Sequence, residues 1–254
     1  MSEKSAAVVI GVGSEEGLGA TLAKYFAKKG LHVFVAGRSA DKLELIVEKI
    51  TQQNSTATAI VTDATVEQDM EQLFAIVDKE SYPLALAVYN AGKNIPLPLL
   101  ETDRETFINL WQQNCLGGFL FGRQAIATMK KRQQGTIIFT GATASLRGKP
   151  PFTAFGVAKA GLRALAQGMA REFSPEGIHI AHVIIDGVID GERSRTKFPN
   201  FVAQKGKEGL LQLDAIAETY WAIHQQHSSA WTHELDLRPL SLIHISEPTR
   251  LERI

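Results

Sequence analysis

Apolar residues along the chain alternate between two periods. Short runs rich in β-branched side chains, opening at Ala6 and then covering Leu31 to Ala36, Ala57 to Val61, Leu84 to Tyr89, Thr136 to Thr140 and Ile178 to Ile185, read as buried strands. Between them the apolar positions recur at helical spacing: Leu18, Leu22, Tyr25 and Phe26; Leu43, Ile46, Val47 and Ile50; Met70, Leu73, Phe74 and Val77. A long helix is predicted through Leu110, Trp111, Leu116 and Phe121 towards Met129, and another from about Phe155 to Phe173. A short helix over about Asp214 to Gln225 and a strand over Trp231 to Leu237 close the pattern. Gly30 stands where a helix C-cap belongs. Thr65 with Gln68, and Thr102 with Glu105, have the spacing of capping boxes. Strand and helix alternate throughout, which predicts an α/β fold: a doubly wound parallel sheet of the Rossmann type, helices on both faces, ligands beyond the carboxyl ends of the strands.

Composition narrows the function. The 254 residues fit one large domain, expected over 1–239, and the 27 basic and 27 acidic residues cancel. No overall field draws the protein to nucleic acid or to an anionic membrane, so the expected partner is a small-molecule substrate or ligand. The opening Met1 to Ser5 lacks the succession of a signal peptide and no apolar run could span a bilayer, so a cytoplasmic location is expected. Cys115 is the only cysteine, which leaves no intrachain disulfide. His224 and His227 lack a carboxylate or cysteine at matching spacing, so no metal site is expected. Residues 240–254, with Leu240 to Arg250 resembling the in-frame translation of a sequencing adapter, are read as a non-native tail that packs poorly.

Candidate chemistry begins at the first strand-to-helix turn. Gly13, Gly17 and Gly19 have the spacing G-x-x-x-G-x-G, which permits a sharp turn, close approach of a pyrophosphate and tight helix packing. The helix that follows offers free N–H groups and its positive end to phosphate.

With Asp63 after the third strand, Asn90-Ala91-Gly92 after the fourth, Asn114 in the long helix and Lys159 in the helix after the fifth strand, the chain resembles the short-chain dehydrogenase/reductase family from about Ala6 to Pro239. The resemblance implies a nicotinamide cofactor in contact with Gly13, Ser14, Gly17, Leu18, Gly19, Arg38, Ser39, Asp63, Ala64, Asn90, Ala91, Gly92, Lys159 and Gly187. Asp63 would lie near the adenine and Lys159 would bond the nicotinamide ribose; local turn bonding is the alternative role for Asp63 and Asn90. No acidic residue ends the second strand. Arg38 with Ser39 can instead grip a 2′-phosphate, which favours NADP(H) over NAD(H). Glu16 argues the other way, because several similar NADP users carry a basic residue there.

The resemblance breaks at the reacting centre. Phe155 and Ala142 occupy the positions of the family's tyrosine and serine, leaving Asn114 and Lys159 as the candidate catalytic residues. A general acid is worth about 10²- to 10⁴-fold and an oxyanion donor about 10²- to 10³-fold, so ordinary carbonyl reduction is expected to be weak. Asp186 and Gly191 replace a proline and a threonine at the exit of the sixth strand. Three proton sources stay open: a hydroxyl of Thr143 or Ser145, a water held by Asn114 and Lys159, or Asp186 or Asp190. The water ranks first, and suits an activated C=C bond better than a ketone. The basic stretch Glu192 to Glu208 falls where the family has a mobile substrate-covering loop. Its long helices imply a homodimer or homotetramer. The expectation is an NADP(H)-binding oxidoreductase with a non-standard centre; a non-catalytic regulatory or sensor protein on the same fold is the alternative.

Overall fold

The computed structural model describes residues 4–243. In chain order it contains β1 (Ala6–Ile10), α1 (Leu18–Lys28), β2 (His32–Gly37), α2 (Ala40–Thr51), β3 (Ala57–Val61), α3 (Glu67–Lys79) and β4 (Leu84–Tyr89). Then follow α4 (Arg104–Trp111), a π-helical segment Gln112–Leu116, α5 (Gly117–Lys130), β5 (Gly135–Thr140), α6 (Thr153–Phe173) and β6 (Ile178–Ile185). The last part holds β7 (Val188–Ile189), α7 (Glu192–Lys197), α8 (Pro199–Lys205), β8 (Leu210–Leu211), α9 (Leu213–His224), β9 (Glu234–Leu237) and α10 (Leu240–Ile243). Seven strands form one parallel sheet in the order β3-β2-β1-β4-β5-β6-β9. The order reverses between β1 and β4, which opens a crevice above their carboxyl ends. The predicted α/β sheet with helices on both faces is therefore the observed one.

Both faces of the sheet are covered, which is why its central strands read as continuous apolar runs rather than alternating ones. Ala7, Val9, Val33 and Val35 pack with α1, α2 and α9, whereas Ala6, Val8, Ile10, Phe34 and Ala36 pack with α3, α5 and α6. Gly30 ends α1 as expected, at φ +95°, with Leu31 N–H donating to Phe26 O at 3.2 Å.

Three local expectations are corrected. Thr65 does not cap α3; its hydroxyl and its N–H donate to Asp63 Oδ1 at 2.7 and 2.9 Å, and Val66 stands at the helix start without a side-chain cap. A short polar turn competes successfully with the cap for the same groups. At α4 the cap lies one residue later: Asp103 Oδ1 accepts from Thr106 N–H at 2.7 Å, while Thr102 donates to Pro98 O. The long helix is broken by the π-helical segment, where the Tyr89 hydroxyl donates to Gln113 O at 2.7 Å. Of the expected tail, Leu240–Ile243 forms a helical turn with Leu240 exposed, and residues 244–254 lie outside the described residues. Among the described residues no helix is long and apolar enough to cross a membrane, and no group of three or more His, Cys, Asp or Glu could hold a metal.

Candidate active site

The glycine turn and the loop after β4 interlock above the crevice. Gly11 and Val12 N–H groups both donate to Ala36 O at 3.0 Å, and Asn90 N–H donates to Ile10 O at 3.0 Å. Gly11, outside the predicted triplet, adopts φ +88°, and a Cβ there would lie 2.5 Å from Ala91 N. Gly37 is equally constrained, since its Cβ would meet Val12 O at 2.3 Å. Gly19 carries the tight packing expected of it, with Gly11 O at 2.6 Å from a built Cβ. Gly13 differs from all of these: nothing lies within 4 Å of its Cβ position. The α1 ladder begins with Thr21 N–H to Gly17 O at 3.0 Å, so the amides of Leu18, Gly19 and Ala20 stand at the helix mouth. Open space over Gly13, beside the free end of an eleven-residue helix, suits a phosphate group.

Asn114 and Lys159 meet behind the same loop. Asn114 is fully buried in the π-helical segment; its Nδ2 donates to Leu110 O at 2.8 Å and to Lys93 O at 3.0 Å. Its Oδ1 has no partner, which is rare for a buried carbonyl oxygen. A Cβ on Gly92 would sit 2.4 Å from that oxygen and 3.6 Å from Lys159 Nζ, so both polar atoms face one point of the β4 loop. Lys159 is buried on α6 and donates to Thr140 O at 2.8 Å; burial lowers its ammonium to about 8. The Phe155 ring centre lies 5.9 Å from Nζ.

The other sequence-predicted groups are placed around this pair. Thr143 Oγ1 donates to Asp186 Oδ1 at 2.5 Å, and Arg238 holds Asp186 Oδ2 at 3.0 Å. Asp186 is thus a buried, paired carboxylate. Ser145 is buried, its Oγ accepting from Ala142 N–H at 3.1 Å and lying 3.5 Å from His182 Nε2. His182 in turn faces Glu234, 3.0 Å from Nδ1, and Arg163 pairs with Glu234 through two bonds of 2.7 Å. Burial drops the His182 imidazole to about 4, against the pull of Glu234. Both loop hydroxyls are therefore turned into the protein. Asp63 is engaged by the Thr65 turn, Ala64 lies under Gly117, and Gly187 packs on Pro239. Arg38 and Ser39 are exposed at the start of α2. Cys115 packs against Gly161, where burial pushes its thiol up. His224 bonds Thr136 at 3.0 Å, an internal role.

Within the basic stretch Glu192 to Glu208, two arginines make contacts that the sequence did not indicate. Arg193 donates to Asn94 Oδ1 at 2.6 Å and Arg195 to Glu16 Oε2 at 2.8 Å, so α7 reaches both the β4 loop and the glycine turn. Their partners lie 99 and 179 residues away, beyond any local signal.

The family model described as short chain dehydrogenase matches residues 6–200. The chain belongs to the short-chain dehydrogenase family. A short-chain dehydrogenase from Rhodopseudomonas palustris is 38% identical with a TM-score of 0.79, over 92% of this chain and 98% of that one. Oxidoreductase asL5 of Sarocladium schorii is 29% identical over 168 residues, 66% of each chain. A very-long-chain 3-oxoacyl-CoA reductase of Aspergillus fumigatus is 27% identical over 197 residues, covering 74% of this chain and 56% of the relative. The chain thus spans 56% to 66% of the length of these curated relatives. An actinorhodin polyketide ketoreductase variant solved with NADPH shares the fold at a TM-score of 0.84 and 19% identity, covering 93% of this chain and 96% of that one. As a short-chain dehydrogenase, the chain places its glycine turn, β4 loop and buried lysine around one crevice at the reversal of strand order.

Proposed function

We propose that this short-chain dehydrogenase is an NADP(H)-binding oxidoreductase with a non-standard reacting centre, formed by Asn114 and Lys159, on a dinucleotide-binding domain over 1–239. The observation that carries the reading is the buried pair itself: an ammonium with one protein acceptor, Thr140 O, beside an amide oxygen with none. A water bound between them donates to the free oxygen, passes its other proton to the substrate and is reprotonated from Nζ, replacing the hydroxyl that Phe155 lacks. When bound, the nicotinamide supplies a hydride. Gly13, Ser14, Gly17, Leu18 and Gly19 hold its phosphates, Asn90, Ala91 and Gly92 wall the crevice, and Asp63 with Ala64 borders the adenine. Arg38 and Ser39, exposed beside the turn, are suited to a 2′-phosphate. Gly187 belongs to the surrounding shell through Pro239. The substrate is a small molecule, and the centre suits an activated C=C bond better than a ketone. Phe107 and Trp111 on α4, Phe119 on α5 and Val157 on α6 are partly exposed, which supports a homodimer or homotetramer through these helices.

Fluorescence titration with NADPH and NADH, followed by a screen of ketones and activated alkenes for cofactor oxidation, tests the reading. NADPH should bind more tightly, and an alkene should be turned over at a rate that falls as pH rises through about 8. Lys159→Ala should lower that rate at least about 10²-fold. Phe155→Tyr with Ala142→Ser should add ketone reduction. Binding without turnover across the panel would favour a cofactor-dependent sensor, a reading supported by the inward-facing Thr143 and Ser145 hydroxyls.

A further inference from the structure

Glu16 stands in the glycine turn one residue before Gly17, and this turn abuts the end of β2, where Gly37 lies against Val12 O and Arg38 follows. A carboxylate there opposes any phosphate that Arg38 grips. The carboxylate is not left bare. Arg195 Nη1 donates to Glu16 Oε2 at 2.8 Å, and its Nε donates to Asp190 Oδ1 at 2.8 Å. Arg195 Nη2 also reaches Asp190 O at 3.3 Å, and Gln212 Nε2 lies 3.4 Å from Asp190 Oδ2, so the guanidinium is held in its aim from the Asp190 side. The backbone reinforces the contact. Glu192 N–H donates to Glu16 O at 3.1 Å, and Gly191 approaches so closely that a Cβ would lie 2.9 Å from the same oxygen.

We propose that Arg195 is a specificity-determining residue for the dinucleotide: reaching from α7, it neutralises Glu16 and so lets the glycine turn accept the 2′-phosphate that Arg38 holds. This inference rests on the NADP(H) reading above. Glu16, Asp190 and Arg195 together carry a net charge of minus one; without the arginine they carry minus two beside a doubly charged group. Docking of α7 on the turn and preference for NADP(H) thereby become one event. The glycine turn needs no basic residue of its own, because α7 supplies it from 179 residues away.

Titration of the full chain and of Arg195→Gln, Glu16→Gln and the double variant with NADPH and NADH decides the matter. Arg195→Gln should weaken NADPH about fivefold and leave NADH within about twofold, and the NADPH loss should shrink in high salt. Adding Glu16→Gln to Arg195→Gln should restore most of the lost affinity, whereas Glu16→Gln alone should leave NADPH binding equal or tighter. Equal losses for both dinucleotides, no loss at all, or no rescue in the double variant would each overturn the role of Arg195. A wild-type protein that prefers NADH or binds neither dinucleotide would overturn the NADP(H) reading itself. Glu16 and Arg195 are solvent-facing, and thermal unfolding of each variant verifies that it folds.

Discussion

The glycines in and beside the turn divide by what their missing side chains face. At Gly37, at the end of β2, a methyl group would press on the backbone oxygen of Val12 at 2.3 Å, and neither strand nor turn can yield without disturbing the bonds of Gly11 and Val12 N–H to Ala36 O. Gly37→Ala should therefore lower stability by about 2–3 kcal/mol or more, read by chemical denaturation. At Gly13 the same methyl group meets nothing. Gly13→Ala should leave the melting temperature unchanged within a few degrees while weakening dinucleotide binding at least tenfold by fluorescence, because the space it fills is the space a phosphate needs. An equal loss of stability at both positions would remove Gly13 from the cradle. The sequence motif treats Gly13, Gly17 and Gly19 alike. Their environments differ within the turn itself: Gly17 faces Ser14, Gly19 faces Gly11 and Val12, and Gly13 faces open space.

At the scale of elements, the π-helical segment between α4 and α5 is what aims Asn114. One added residue in the turn shifts the helix face, and the Gln113 carbonyl accepts from the Tyr89 hydroxyl. Tyr89 is fully buried on β4, so its hydroxyl has no water to fall back on, and burial raises its pKa strongly. Tyr89→Phe removes this buried bond and should cost about 1–3 kcal/mol, with a further loss of turnover as Asn114 shifts. If stability and turnover are both unchanged, the segment is held by packing alone, with Gly117 against Tyr89 and Ala64. The periodicity of Leu110, Trp111, Leu116 and Phe121 supports a helix on either side of the break and so hides it. Likewise the capping boxes are spelled by residue type, but Asp63 takes the Thr65 N–H and hydroxyl, and Asp103 caps α4 one residue later through Thr106 N–H.

At the scale of the whole molecule, histidines burdened by burial set the response to acid. His182 and His224 are lowered to about 4, and His32 and His179 are lowered as well, desolvation being the largest cause in each. In the unfolded chain they take up protons near 6.5, before the folded protein does. Their contribution is complete above that value and is lost as pH falls from about 6.5 towards 4, so stability should decline steeply across this window. Glu234, held below its usual range by Arg163, adds to the loss in acid. Replacing His224 with glutamine, which keeps a donor towards Thr136, should flatten the decline measured by denaturation at a series of pH values. An unchanged slope would show that His224 titrates normally.

The sequence by itself determined the alternation of strands and helices, the parallel sheet with two covered faces, and the glycine-rich turn, because each of these is written in spacing over a few neighbouring residues. It also named Asn114 and Lys159, though as separate signals. Only the tertiary structure decided that they face one point of Gly92, that Asn114 keeps an oxygen without a partner, and that Thr143 and Ser145 turn inward to Asp186 and His182. The pairing of Arg195 with Glu16 belongs to the same class. These contacts join residues far apart in the chain, and their energies depend on burial and on what stands opposite, quantities that exist only after the sheet has brought the loops together.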